Sequence, residues 1–345
     1  MSFMVKSQIN WIKVAILGIA FYIASLVSAI YIPIIIAIVL AFILNPLVDL
    51  LCKIRIKSFI MPRGLAILLS FLFAGVCLTI IATFVFMPFV HEFEKFVANL
   101  PYLIQKIQQI TIAIEARASE VTLPANLSSL VQQTVSSAAS FSVGLVRKIV
   151  NSIFDLASRI IEMVVVPVLA YYFMKDWKYL KESFVSIFSV DKRNEIHTII
   201  DEMAAVISGY IRGQFWISIL IGLTVFCGMY SLEVEYPLVL GLLATLTETI
   251  PIVGPIIGAI PAILLAFLTS PALAVKVLLF FIIVHQIENH IIVPNVMGHT
   301  IDLHPATIII VLLIGGQLYG IMGMLLAVPV AALLKVICRY LWYYK

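Results

Sequence analysis

The chain has 345 residues, of which 63% are hydrophobic and only 12% are charged. Soluble domains carry about 25% charged residues, so this composition, with a mean hydropathy of +1.13, excludes an ordinary water-soluble protein. The net charge is only +4, and no basic run interleaved with aromatic residues indicates nucleic-acid binding. Long apolar stretches instead predict an all-α, polytopic membrane protein with about eight transmembrane helices embedded in a lipid bilayer.

The amino-terminal region, residues 1–90, predicts three membrane spans at about 11–30, 32–50 and 65–90. The loop between the second and third spans contains no acid and four basic residues: Lys53, Arg55, Lys57 and Arg63. Short loops rich in lysine and arginine stay on the cytoplasmic side of the membrane. We therefore expect this loop, and the amino terminus with it, to be cytoplasmic.

Residues 91–150 change in character, because acids and amides appear among apolar residues that recur at helical spacing. Phe93, Phe96 and Val97 belong to this amphipathic pattern, which Pro124 interrupts. The pattern predicts an extracytoplasmic amphipathic helical hairpin that leads directly into the fourth span.

Residues 151–345 predict a carboxy-terminal transport region that contains spans four to eight. Arg159 and Glu162 lie one turn apart in span four, which allows them to pair on one helix face. The basic, mixed-charge segment 175–205 predicts an amphipathic stretch along the cytoplasmic membrane surface.

Span five combines two small residues with a charge. Gly209 and Gly213 stand four residues apart, a spacing that permits close helix packing. Arg212 lies between them. It either extends to the membrane interface or provides the counter-charge to an intramembrane acid.

Span six is organised around the stretch TETIPIVGPIIGAIP, residues 247–261. Pro251, Gly254 and Pro255 prevent an unbroken helix, so the stretch predicts a broken or re-entrant helix made of two half-helices. Glu248 precedes the break, and an acid at the bilayer centre costs about 2.5–3.5 kcal/mol on insertion scales. Broken helices and intramembrane acids together are typical of secondary transporters. The alternative is a kinked helix with Glu248 at the interface.

The end of span seven carries a polar cluster of His285, Glu288, Asn289 and His290. A hydrolytic zinc site needs histidines four residues apart, whereas these two are five apart and point roughly 140° away from each other. No metal site is therefore predicted. His285 and Glu288 share a helix face and suit proton or cation handling, or else the cluster caps a helix end.

The last apolar stretch, at about 306–337, predicts a final span that returns the carboxy terminus to the cytoplasm. Its glycines are candidates for packing or gating: Gly316, Gly320 and Gly323. The sequence contains no nucleotide-binding loop, nucleophile elbow or dinucleotide fingerprint. It therefore predicts a protein without enzyme activity or cofactor, whose transport is gradient-driven or passive.

Several motifs between about residues 160 and 335 resemble the AI-2E transporter family. They are Tyr172-Phe173-Met-Lys175-Asp176, Tyr210-Ile-Arg212-Gly213-Gln214, Ile250-Pro251-Ile-Val-Gly254-Pro255, Gln286-Ile-Glu288-Asn289-His290, Pro294-Asn-Val-Met-Gly298, Leu303-His304-Pro305 and Gly320-Ile-Met-Gly323-Met-Leu-Leu-Ala-Val-Pro329. The resemblance implies a multi-pass protein of the bacterial inner membrane that forms homo-oligomers. Family members have been linked to export of the quorum-sensing signal autoinducer-2, and others to exchange of sodium or lithium for protons.

These observations leave three functional hypotheses. The first is export of a small polar solute such as autoinducer-2, and the second is antiport of sodium or lithium against protons. Both place transport and ion coupling at Glu248 and Glu288, with Arg212, His285 and Asn289 around them and the backbone of Pro251, Gly254 and Pro255 in contact with solute. The third is a non-transporting membrane scaffold that binds envelope partners through residues 91–150.

Overall fold

The computed structural model describes residues 31–53, 55–56, 59–120, 144, 164–298 and 303–343. The predicted first span, the Arg159–Glu162 pair and the second half of the predicted external hairpin lie outside these ranges. Across the described ranges the fold is helical apart from one short two-stranded ladder. Five of the described helices are long and apolar enough to cross a membrane, which confirms the predicted all-α, polytopic class.

The chain divides into two compact units, and the first contains residues 1–71 and 158–178. Helix α1 (Tyr31–Lys53) is followed by strands β1 (Arg55–Ile56) and β2 (Phe59–Ile60), which pair in antiparallel fashion. Helix α4 (Val165–Lys175) packs against α1. Hydrogen bonds connect α1, Arg63 and the end of α4 within this unit.

Those hydrogen bonds centre on Arg63. Its guanidinium group donates to the backbone carbonyl oxygen of Met174 at 3.0 Å and to Oδ1 of Asn45 at 3.1 Å. The Asn45 amide in turn donates to Asp49 at 2.9 Å. One of the four basic residues of the predicted cytoplasmic loop therefore has a structural role in addition to its charge.

Helix α2 (Arg63–Ile81) runs through a π-helical turn (Ala82–Phe86) into helix α3 (Met87–Glu120). The predicted change from membrane span to amphipathic segment near residue 91 therefore falls inside a continuous helical run. Phe84 and Met87 are 74% and 71% exposed. Such exposed apolar side chains are expected on a surface that lipid covers.

The second unit contains residues 72–157 and 179–345. Helix α5 (Trp177–Val185) and a 3₁₀ turn (Val190–Lys192) lead into helix α6 (Arg193–Ser231), which has 39 residues. At 1.5 Å per residue α6 is about 58 Å long, longer than the hydrocarbon core. Its buried residues form one stripe at helical spacing: Tyr210, Gly213, Gln214, Ile217, Ser218, Ile221, Gly222, Val225 and Met229.

Helices α7 (Pro237–Glu248) and α8 (Val253–Thr269) form hairpin A against that stripe. A Cβ atom on Gly258 would contact Ala244 at 3.4 Å, and one on Gly254 would contact the Thr247 carbonyl. Because the later residue of α8 faces the earlier residue of α7, these contacts show that the two helices run antiparallel. The predicted broken helix is therefore confirmed, and its halves fold back on each other. The break covers residues 249–252, so Gly254 and Pro255 lie in the first turn of α8, where proline is tolerated.

Helix α9 (Pro271–Ile287) continues into a π-helical turn (Glu288–Ile292) and the short helix α10 (Val293–Met297). Helix α11 (Pro305–Tyr343) is interrupted at Tyr319 and Gly320. Gly315 and Gly323 lie in backbone contact across this interruption, although eight residues of straight helix would separate them by about 12 Å. Residues 305–343 therefore form a second antiparallel hairpin, hairpin B, where the sequence predicts a single final span.

Candidate functional site

The two predicted intramembrane acids come together in the core of the second unit. Glu248 ends α7 and is 2% exposed, and Glu288 begins the π-helical turn after α9 and is 6% exposed. Their carboxyl groups lie within hydrogen-bond reach of each other. Ionised carboxylates only accept hydrogen bonds, so this contact forms when one of the two groups holds a proton. The pair can therefore share a single proton.

His285 holds Glu288 from the same helix. Its Nδ1 atom lies 2.9 Å from Oε2 of Glu288, one turn along α9. The other ring nitrogen, Nε2, is buried and has no hydrogen-bond partner in the described part of the chain. Glu248, Glu288 and His285 thus form one connected chain of titratable groups, as their positions in the sequence suggested for the last two.

Gln214 connects α6, the long central helix of this unit, to Glu248. Its side-chain nitrogen donates a 2.5 Å hydrogen bond to the backbone carbonyl oxygen of Glu248. The last carbonyl groups of a helix lack partners within the helix, and α7 ends at Glu248. The Gln214 amide therefore satisfies an otherwise unpaired group and fixes the end of α7 beside α6.

Two further polar groups lie on the same face of α6. Tyr210, Gln214 and Ser218 follow one another at intervals of four residues, and all three are buried. Among the residues that the structure describes, the Tyr210 hydroxyl and the Ser218 hydroxyl have no hydrogen-bond partner. An unpaired buried hydroxyl costs about 1–3 kcal/mol. None of the three is among the site residues that the sequence predicts, although three polar side chains spaced by four in an apolar span are a recognisable pattern.

Two residues that the sequence places in the site lie elsewhere. The Arg212 guanidinium group bonds to Ser208, through its backbone oxygen at 3.0 Å and its hydroxyl at 2.8 Å. It lies two residues before Gln214, so about 200° of helix rotation separates the two side chains. Asn289 is exposed on the π-helical turn. Neither residue joins the carboxyl pair in the described structure.

The backbone of hairpin A is largely satisfied by its own turn. The carbonyl oxygen of Pro251 accepts from the Val253 amide at 2.7 Å, and the Gly254 amide donates to Ile250 at 2.8 Å. The Pro251 carbonyl oxygen and the Gly254 amide are therefore paired within the turn, and contact of this backbone with solute stays a prediction. Pro255 has no amide hydrogen to offer.

The candidate packing glycines contact neighbouring helices. A Cβ atom on Gly213 would meet Met297 of α10 at 2.8 Å, and one on Gly316 would meet Met324 at 3.2 Å. Gly323 packs on the backbone of Gly315, and Gly320 takes a φ of +60° at the turn of hairpin B. Gly209 is half-buried, one turn before Gly213. These positions shape the fold around the site and do not touch the carboxyl pair.

Within the described part of the chain, no three side chains of histidine, cysteine, aspartate or glutamate are grouped as metal ligands. The arrangement is instead a pair of buried carboxyl groups, one at the end of α7 beside α6 and one directly after α9. The described part of the chain contains five long apolar helices, and buried ionisable groups among such helices are typical of multi-pass membrane transporters.

The model of the family described as AI-2E family transporter matches residues 12–342, so the chain belongs to the AI-2E transporter family, which comprises transporters and not enzymes. It is 32% identical over 314 residues to the provisionally named transport protein YueF of Bacillus subtilis, covering 90% of this chain and 83% of that one. It is 26% identical over 320 residues to YrrI of the same organism, covering 90% and 86%. A protein of Halobacillus andaensis named sodium-lithium/proton antiporter is 25% identical over 333 residues, covering 93% and 92%.

Proposed function

We propose that this protein is a secondary transporter that exchanges sodium or lithium for protons at the Glu248–Glu288 pair. The observation that carries the proposal is the burial of both carboxyl groups within hydrogen-bond reach of each other. The name of the Halobacillus andaensis relative, a sodium-lithium/proton antiporter, supports the same chemistry.

The burial gives a physical reason for coupling. Two adjacent carboxylates without compensating charge are strongly disfavoured in a low-dielectric interior. A proton on one of them, or a monovalent cation beside them, removes that penalty. The pair therefore holds a proton or a cation at any time, and exchange of one for the other is the condition for antiport.

His285 is a third titratable group that can take part in the proton transfer. Its Nδ1 atom contacts Glu288, so the imidazole can pass a proton to or from the pair while its unpaired Nε2 faces another part of the core. Gln214 acts as a positioning residue, because it contacts the backbone of Glu248 and leaves the carboxyl group available.

Export of a small polar solute such as autoinducer-2, which would give the protein a role in quorum sensing, is the second candidate. The interruption of hairpin A at residues 249–252 favours it, since Ile252 at the tip is 43% exposed and takes a φ of +66°. Non-helical backbone at membrane depth is tolerated where it lines a cavity. Within the described residues no comparable observation favours a non-transporting scaffold.

The proposal also places the protein in the inner membrane of a bacterial cell, with both termini in the cytoplasm. The four basic residues between the second and third predicted spans support this orientation. Homo-oligomers remain part of the proposal, and the exposed apolar faces of α2 offer surface for lipid or for neighbouring copies.

The test uses sealed proteoliposomes with a pH dye inside. Sodium, lithium or potassium is added outside to the wild type and to the Glu248→Gln and Glu288→Gln variants. Glu94→Gln serves as the matched control, because Glu94 is an exposed acid on α3. We expect sodium and lithium to change the internal pH in the wild type and the control, and the two site variants to lose that response.

A wild type that shows no cation-dependent pH change contradicts the antiport proposal. In that case the same vesicles are tested for flux of a labelled small polar solute, and flux that requires Glu248 supports the second candidate. A response that survives in both site variants places exchange somewhere other than the carboxyl pair.

A further inference from the structure

The hydroxyl groups of Tyr210 and Ser218 are buried polar groups that the exchange described above does not use. Tyr210 is 5% exposed and Ser218 is 4% exposed, and neither hydroxyl has a hydrogen-bond partner within the described ranges. Serine and threonine hydroxyls on membrane helices commonly bond to the carbonyl four residues earlier. Thr224 of the same helix does so, donating to Leu220 at 2.8 Å. Ser218 therefore departs from the pattern that its own helix shows.

The packing of α6 on α7 places Ser218 near the end of α7 at which Glu248 lies. Gln214 meets the backbone of Glu248, and a Cβ atom on Gly222 would meet Thr245, one turn earlier on α7. Ser218 lies between these two contacts on the same face of α6. Side chains on a helix tilt toward its amino terminus, so the Ser218 hydroxyl tilts toward the level of Gln214 and Glu248.

Tyr210 lies on the opposite side of Gln214 along α6. By the same tilt its hydroxyl points away from the pair, and its ring belongs to a cluster with Ile250, Leu312 and Val328. This cluster joins the tip of hairpin A to both arms of hairpin B. Tyr210 and Ser218 thus lie one helical turn before and after Gln214, the residue that bonds to the backbone of Glu248.

We propose that Tyr210 and Ser218 line the path of the monovalent cation, with Ser218 as a neutral oxygen ligand at the carboxyl pair and Tyr210 on the approach beyond Gln214. This inference rests on the proposed exchange function. Hydroxyl oxygens are suitable ligands for a hard cation that gives up part of its water. The unpaired state of both hydroxyls supports this role, because a hydroxyl that already bonds to the backbone is less available as a cation ligand.

The first experiment measures how the proteoliposome pH response depends on sodium and lithium concentration. Ser218→Ala removes the hydroxyl and Ser218→Thr retains one. Thr224→Val is the matched control, because it removes a hydroxyl that is already bonded on an exposed part of the same helix. We expect Ser218→Ala to raise the apparent KM for both cations by about tenfold, the effect of losing one hydrogen bond or ion contact to a charged group.

Ser218→Thr is expected to restore most of the affinity, and Thr224→Val to leave it unchanged. A structural role for Ser218 would lower the amount of folded protein or the maximal rate without moving KM. An unchanged KM in Ser218→Ala, alongside wild-type exchange, overturns the role of Ser218 and leaves the exchange function standing. A silent wild type overturns both.

The second experiment measures water access along the proposed path by cysteine labelling and needs no transport assay. In a chain whose four cysteines are replaced, Ser218→Cys and Tyr210→Cys are treated with a charged methanethiosulfonate reagent, which reacts only where water reaches the thiol. Ile217→Cys is the control, since Ile217 is 1% exposed on the adjacent position of α6. We expect both test positions to react, the control to remain inert, and sodium or lithium to slow the reaction at position 218. Failure of both test positions to react overturns the path.

Discussion

The side-chain amide of Gln214 donates a 2.5 Å hydrogen bond to the backbone carbonyl oxygen of Glu248, a residue 34 positions later in the sequence and on a different helix. The bond is buried, and it connects the middle of α6 to the last residue of α7. It therefore fixes the position of Glu248 along α6.

Gln214→Leu should destabilise the protein by about 1–3 kcal/mol, because it leaves a buried carbonyl group unpaired. The measurement is thermal unfolding of the purified protein in detergent. Gln317→Leu is the control, since Gln317 is exposed on α11. Equal melting temperatures for the two variants would contradict a structural role for the Gln214 bond.

His285→Ala should lower the rate of cation-dependent proton flux by at least about tenfold, because a buried carboxyl group loses a partner worth about 1.5–3 kcal/mol. His290→Ala is a suitable comparison. Its ring contacts the Gln286 carbonyl oxygen and is exposed, so we expect near-normal flux. Loss of flux in both variants would point to a general effect on the end of α9.

Gly254→Ala should weaken hairpin A, because the added methyl group would overlap the Thr247 carbonyl of the facing helix. Overpacking of this kind costs about 1–3 kcal/mol. Gly75→Ala provides the contrast, since no atom of the described residues lies within 4 Å of its added methyl group, and alanine favours a helix by up to about 1 kcal/mol. Thermal unfolding should separate the two variants in opposite directions.

Gly320→Ala should destabilise hairpin B although the space around Gly320 is open. Gly320 has φ +60° and ψ −137°, a region that is almost exclusive to glycine and costs other residues about 1–3 kcal/mol. The readout is again the melting temperature, with Gly75→Ala as the reference. A melting temperature equal to that of the wild type would mean that the turn adopts another backbone conformation.

Glu92→Ala should loosen the amino-terminal end of hairpin A. The Glu92 carboxyl group accepts a 3.0 Å hydrogen bond from the Val239 amide in the first turn of α7, and no side chain caps that helix from Tyr236. Loss of a cap costs about 0.5–2 kcal/mol. Glu92→Gln keeps an acceptor oxygen and should cost less, while Glu94→Ala should cost little. Equal effects of Glu92→Ala and Glu94→Ala would contradict the capping role.

The sequence alone determined the class of this protein. Its low charged fraction and long apolar runs require a bilayer around most of the chain, because such surfaces cannot be exposed to water. It also predicted the broken helix after Glu248 and the pairing of His285 with Glu288, since proline chemistry and helical spacing are local properties. Family motifs such as Ile250–Pro255 added the family, which the match over residues 12–342 confirmed.

Only the tertiary structure decided what these pieces contact. Local pattern cannot show that hairpins A and B fold back on themselves, because the direction of a helix after a turn depends on packing such as Gly258 on Ala244. It offered Arg212 either as a counter-charge to the acids or as an interfacial residue, whereas in the folded chain Gln214 contacts Glu248 and Arg212 contacts Ser208. Glu248 and Glu288 lie 40 residues apart in the sequence, so only the folded chain brings the two carboxyl groups together.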